Sequence, residues 1–112
     1  MTRHVLTVDL RDDPAAIRLY VEHHRQVWPE VLDSLRRVGI RAMDIYLLAR
    51  RLVMVVDVEE GTTLQQAFSV HRAAARRVAE WERLMLSLQA PPPGAAPGGT
   101  WTPMEPIFHF EA

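Results

Sequence analysis

Two β-rich runs, "IRAMDIYLLA" (40–49) and "LVMVVDVEE" (52–60), are separated only by Arg50–Arg51. So short a gap permits a tight hairpin and little else, which puts an antiparallel strand pair in the middle of the chain. What flanks that pair then sets the fold class. Upstream, "HVLTVDL" (4–10) alternates: His4, Leu6, Val8 and Leu10 share one face, and Val5, Thr7 and Asp9 the other. That is the pattern of a half-buried strand. Asp13 is a good helix N-cap and Pro14 suits the first helical position, where its missing N–H costs nothing. Ile17, Val21 and His24 then recur at helical spacing, with Tyr20 beside them. An interior proline costs about 3 kcal/mol and pushes its predecessor toward extended backbone. The expectation is one helix broken at Trp28–Pro29, resuming with Val31, Leu32 and Leu35 inward and stopping at Gly39.

Downstream, a helical tract from Thr62 to Gln89 carries Val78, Trp81, Met85 and Leu88 on one face. The stretch "APPPGAAPGGTWTP" (90–103) is too rich in proline and glycine for regular structure, and loops of this length are often lids or binding loops. "MEPIFHFEA" reads as a closing strand. The order is β-α-β-β-α-β, an α+β chain of ferredoxin-like type. Helices on one side of four strands leave the opposite sheet face in need of cover. Either a second copy packs there, making a homodimer, or a ligand and its lid do. With 112 residues, the chain is read as a single domain, 1–112.

The absences narrow the chemistry. No cysteine occurs, and all 13 Lys+Arg positions are arginine. Thiolate nucleophiles, cysteine-ligated metals and lysine Schiff bases are thereby excluded. The three serines, Ser34, Ser69 and Ser87, sit in helix-like segments, and no glycine-rich phosphate loop is present. A net charge of −1 with dispersed arginines argues against nucleic acid as a partner. No apolar run approaches a membrane span and no cationic leader precedes one, so the expected location is cytoplasmic, off the membrane. Acid–base work, a metal held by histidine and carboxylate, or binding alone remain.

Tyr20 and His24 stand four apart, which stacks them on one side of a helix. An imidazole exchanges protons near neutral pH with little tuning, and a phenol beside it can orient it or hold a ligand hydroxyl. The plainer reading is a half-buried histidine satisfied by a backbone carbonyl. Trp28, set by Pro29 past the helix end, offers a flat apolar face. His23, adjacent to His24, lies about 100° away around the helix and cannot converge with it on a metal ion, so no metal site is expected and His23 is read as a surface residue. Asp44 and Tyr46 share a strand face. Trp81 lies on the apolar helix face beside Glu82, where a tryptophan is more often core than ligand platform.

The run Tyr20–x3–His24–x3–Trp28–Pro29–Glu30, with "DIYLL", "EWERLM" and "MEPIFHF" in order and spacing, resembles the L-rhamnose mutarotase family over nearly the whole chain. The resemblance implies a small dimeric ferredoxin-like enzyme, a dimeric α/β barrel needing no cofactor, that interconverts sugar anomers. It also implies His24 as the acid/base, with Tyr20, Tyr46 and Trp81 lining the sugar site. Rhamnose-acting members commonly carry two tryptophans where this chain has Trp81–Glu82, and asparagine–proline where it has Arg25–Gln26. The Trp81–Glu82 pair and the Pro-rich loop ending in Trp101 are closer to the L-fucose mutarotase branch, so L-fucose is favoured and L-rhamnose comes next. A 6-deoxy sugar has an apolar face that suits Trp81 and Trp101, and its hydroxyls suit Tyr20, Tyr46 and Glu82. Two other readings stay open on the same fold: a cofactor-free or haem-handling monooxygenase, and a non-catalytic small-molecule-binding dimer.

Overall fold

In the computed structural model, which describes residues 1–112, β1 (Thr2–Leu10) runs through the centre of one antiparallel sheet. It pairs with β3 (Arg51–Val58), which pairs with β2 (Ile40–Leu48). On its other edge it carries two short bridges, β4 (Gln89–Ala90) and β5 (Thr102–Pro103). Register places Leu6 opposite Met54 and Val8 opposite Leu52, so the alternating apolar sets of both strands meet on one face. The helices α1 (Pro14–His24), α2 (Pro29–Arg37), α3 (Leu64–Arg72) and α4 (Arg76–Leu88) complete the chain.

Two apolar clusters join sheet to helices. In the first, Val8, Leu10 and Leu52 meet Ala16, Tyr20, Val31, Trp81, Met85 and Leu88. In the second, Leu6, Met54, Val56 and Val58 meet Ile40 and Ala67. The order β2-β3-β1-β4 is the split βαβ arrangement expected from the sequence. No helix is long and apolar enough to cross a membrane.

Local signals hold where they are strong. Asp13 caps α1, accepting from the Ala15 N–H at 3.0 Å with Pro14 at the first turn. Trp28 is extended (φ −59°, ψ 136°) ahead of Pro29, as a pre-proline residue must be. At the end of α2, Gly39 has φ +95°, and a Cβ there would meet Glu59 Cγ at 2.9 Å.

Five expectations are corrected by tertiary context. The inward stripe of α1 is Ala16 and Tyr20, whereas Val21 is exposed. Leu32 of α2 is likewise exposed, and Ser34 takes the inward place. β1 is buried on both faces from Leu6 to Leu10, because Thr7 Oγ donates to the Leu52 carbonyl at 2.8 Å and Arg51 holds Asp9 at 2.6 Å. The tract 62–89 is two helices, with Ala75 extended (φ −162°, ψ 161°). Unbroken, it would run about 40 Å, past the sheet; instead α3 packs on the second cluster and α4 on the first. Finally, "MEPIFHFEA" forms no strand. Only Met104 follows β5 onto β1, donating to the Val5 carbonyl at 2.8 Å, and Pro103 and Pro106 have no N–H to extend the ladder.

The hairpin turn is Ala49–Arg50, one residue earlier than expected, and Arg51 belongs to β3. Ala49 has φ 55°, in the left-handed region, where a Cβ is strained. Ala49→Gly is therefore expected to stabilise the fold by about 0.5–1 kcal/mol. Urea unfolding checks this as a raised midpoint at unchanged slope; a lowered midpoint counts against strain at this turn.

Candidate active site

Tyr20, His24, Trp28 and Trp81 meet where α1, α2 and α4 converge. The Tyr20 and His24 rings stack with centroids 4.3 Å apart at 27°. Trp81 presents its indole edge-on to His24 at 5.3 Å and to Trp28 at 5.2 Å. Helical spacing on α1 brings the first two together; Pro29 turns Trp28 back toward α4; the apolar face of α4 supplies Trp81.

His24 Nδ1 lies 2.8 Å from the Tyr20 carbonyl. A carbonyl only accepts, so the neutral ring carries its proton on Nδ1 and keeps a lone pair on Nε2. One nitrogen of His24 thus anchors the ring on its own helix and the other has no protein partner, so satisfaction by the backbone does not exclude proton transfer. Burial holds His24 below the ordinary histidine range. The Tyr20 carbonyl pulls the other way, and His23 adds to the lowering. Tyr20 is pushed up to about 12, mainly by burial; a hydrogen bond with Gln89 offsets this and the charge of Glu82 reinforces it. At neutral pH Tyr20 is a phenol that can donate.

The other anticipated residues do not join this stack. Tyr46 is 61% exposed. It lies opposite Val53, whereas its neighbour Ile45 lies opposite Met54 of the core. Tyr46 therefore stands on the open sheet face, away from His24 in the same chain. Trp101 packs against both apolar clusters where the loop rejoins β1. Glu82 places Oε1 3.3 Å from His71 Nε2. His23 is half-buried rather than a surface residue, with its ring 6.2 Å from Trp81, because the indole spans both histidines.

Sequence reasoning missed four participants. Arg77 sets its guanidinium 3.7 Å over the Trp28 ring and is held by Glu30 at 3.4 Å and Glu80 at 3.1 Å. Its place one turn before Trp81 was the available signal. Gln89, the partner of Tyr20, and the buried pair Ser34–His71 carried no local signal. A cavity of about 550 Å³ lies between α2 and α3 against Ser34, Arg37, Gln66, Ala67 and Val78, away from His24. A smaller one, about 170 Å³, lies under the 91–100 loop and includes Gln89, which links that loop to Tyr20. No group of three or more His, Cys, Asp or Glu side chains converges as a metal site would require.

A family model described as L-rhamnose mutarotase matches residues 3–110. The chain belongs to the L-rhamnose mutarotase family. It is 39% identical to the L-fucose mutarotase of Xanthomonas campestris pv. campestris over 110 residues, 96% of this chain and 87% of that protein. The crystal structure of the L-rhamnose mutarotase of Formosa agariphila superposes with a TM-score of 0.69 at 20% identity, covering 99% of this chain and all of that one (100%). A dimeric ferredoxin-like protein from an uncultured marine organism superposes with a TM-score of 0.55 at 12% identity, covering 97% and 91%. Membership in the mutarotase family makes this chain an isomerase acting on a sugar, built on the ferredoxin-like fold of dimeric α+β barrels.

Proposed function

We propose that this mutarotase exchanges the α and β anomers of a 6-deoxyhexose, L-fucose in preference to L-rhamnose, with His24 as the acid/base. The observation that carries the reading is the anchored ring of His24, with Nδ1 on the Tyr20 carbonyl and a free lone pair on Nε2. Nε2 removes the proton from the anomeric hydroxyl while a second group protonates the ring oxygen. The C1–O5 bond breaks to the open aldehyde, C1 rotates, and the reverse steps close the ring on its other face. Tyr20, protonated and one stacking distance away, is placed to donate. Trp28 and Trp81 form the apolar wall, Trp101 and Glu82 are candidates for sugar contact, and Tyr46 is one only across a dimer interface. The chemistry asks for no nucleophile, metal or nucleotide. The fucose preference rests on the 39% identity to an L-fucose mutarotase and on Glu82 beside Trp81. NMR magnetisation exchange between anomers of both sugars tests it: native protein is expected to speed L-fucose most. No acceleration on either would exclude both.

We also propose that the working unit is a homodimer. The tail past β5 exposes Ile107, Phe108 and Phe110 at 91%, 83% and 73%, and the open sheet face carries Tyr46 and half-buried Val53 and Val55. A buried phenylalanine contributes roughly 150–250 Å², so tail and sheet face together offer the roughly 800 Å² per partner of a stable interface. Sedimentation is expected to give a dimer for the native chain and a monomer after removal of residues 105–112. A native monomer at micromolar concentration would sink this reading.

A further inference from the structure

Ser34, His71 and Glu82, from three different helices, form a row of polar contacts that the proton transfer above does not use. Ser34 Oγ lies 2.7 Å from His71 Nδ1, and His71 Nε2 lies 3.3 Å from Glu82 Oε1. Ser34 and His71 are both buried, His71 with 3% exposure. A buried neutral imidazole has one proton to place. With a carboxylate in front of Nε2 the proton belongs there, and the Ser34 hydroxyl then donates to Nδ1. The opposite tautomer would set a lone pair against the carboxylate.

The row has the composition of a hydrolytic triad but not its geometry. The serine faces Nδ1 rather than Nε2, and it sits within α2, where backbone N–H groups are spent on the helix and none is free to stabilise an oxyanion. A role in holding Glu82 fits better. Glu82 follows Val78 by four residues and precedes Met85 by three, and both are buried. Its side chain therefore leaves α4 on the core side, beside the Trp81 that touches His24. The side chain keeps 31% of its exposure, and its contact with the protein is Oε1 at 3.3 Å from His71 Nε2, an ion-pair distance.

We propose that Ser34 and His71 are positioning residues, which hold Glu82 by Oε1 so that Oε2 meets one substrate hydroxyl and sets the preference between sugars. The inference rests on the sugar reading above. A free glutamate samples many rotamers, and fixing one costs side-chain entropy. Once fixed, the acceptor penalises a sugar whose hydroxyl points elsewhere, because a desolvated acceptor is then left unpaired.

Two measurements test this. Imidazole ¹⁵N shifts of the native protein at neutral pH are expected to show His71 as a single Nε2–H tautomer. An Nδ1–H tautomer or a mixture overturns the arrangement, whatever the substrate. In the exchange assay, His71→Leu is expected to lower the L-fucose/L-rhamnose kcat/KM ratio about tenfold, mainly through KM. Glu82→Leu should match it, and the double variant should lose no more. His71→Gln keeps an amide donor toward Glu82 and should recover most of the ratio. Equal losses on both sugars in the Leu and Gln variants, tracking their melting temperatures, would mean a structural role and overturn the proposal. Native protein without faster exchange on either sugar overturns the sugar reading and the preference drawn from it, while the tautomer decides the relay separately.

Discussion

His24→Ala is expected to reduce the catalysed anomer exchange by about 10²–10⁴-fold, the usual contribution of a positioned acid/base group, while leaving the protein folded. The ring is only half-buried, and its hydrogen bond goes to a carbonyl of its own helix, so its removal opens no deep cavity. Its pH dependence follows from the same geometry. Burial disfavours the imidazolium and holds His24 below its ordinary value. The base is therefore unprotonated through neutrality, and the acid limb of kcat/KM is expected below about pH 6.5. Stability carries the same sign: between the depressed folded value and the unfolded one the unfolded chain binds more protons, so stability falls as pH drops through that window. Exchange rates of native and His24→Ala protein across pH check the first statement, and urea midpoints across the same window check the second. An undiminished rate in the variant, or an acid limb above the ordinary histidine value, would remove His24 from the chemistry.

Trp81→Ala carries the largest expected effect on stability, a loss of about 3–5 kcal/mol. The indole is 5% exposed, belongs to the first apolar cluster, and lies edge-on to His24 and Trp28 at 5.3 and 5.2 Å. Its removal leaves a cavity where three helices meet and takes away the wall behind His24. Exchange activity should therefore fall together with the urea midpoint, whereas Trp81→Phe, which keeps an aromatic edge, should retain the fold. A loss below about 1 kcal/mol in Trp81→Ala would show that the site collapses around the gap and that Trp81 is not the keystone of this corner.

Much of this corner is legible in the sequence. Tyr20 and His24 share a helix and stand four residues apart, so their stacking follows from helical pitch; Trp28 is turned by Pro29, a local steric effect; and the stripe of Val78, Trp81, Met85 and Leu88 is wholly buried as its spacing implies. The errors share one cause. Val21 and Leu32 are as apolar as their buried neighbours, so pattern alone could not say which of two adjacent stripes meets the sheet. The break at Ala73–Ala75 lies among the best helix formers, so packing, not propensity, made it.

By itself, then, the sequence determined the order of elements from β1 to β3, the hairpin between β2 and β3, the cap at Asp13 and the pairing of Tyr20 with His24, because each depends on residues within a turn or two of one another. Only the tertiary structure decided that Tyr46 faces away from His24, that Arg77 covers Trp28, and that Ser34 reaches Glu82 through His71. Ser34 and His71 are 37 residues apart and on different helices. Such contacts are set by how helices dock on a sheet, and no spacing along one chain segment encodes that.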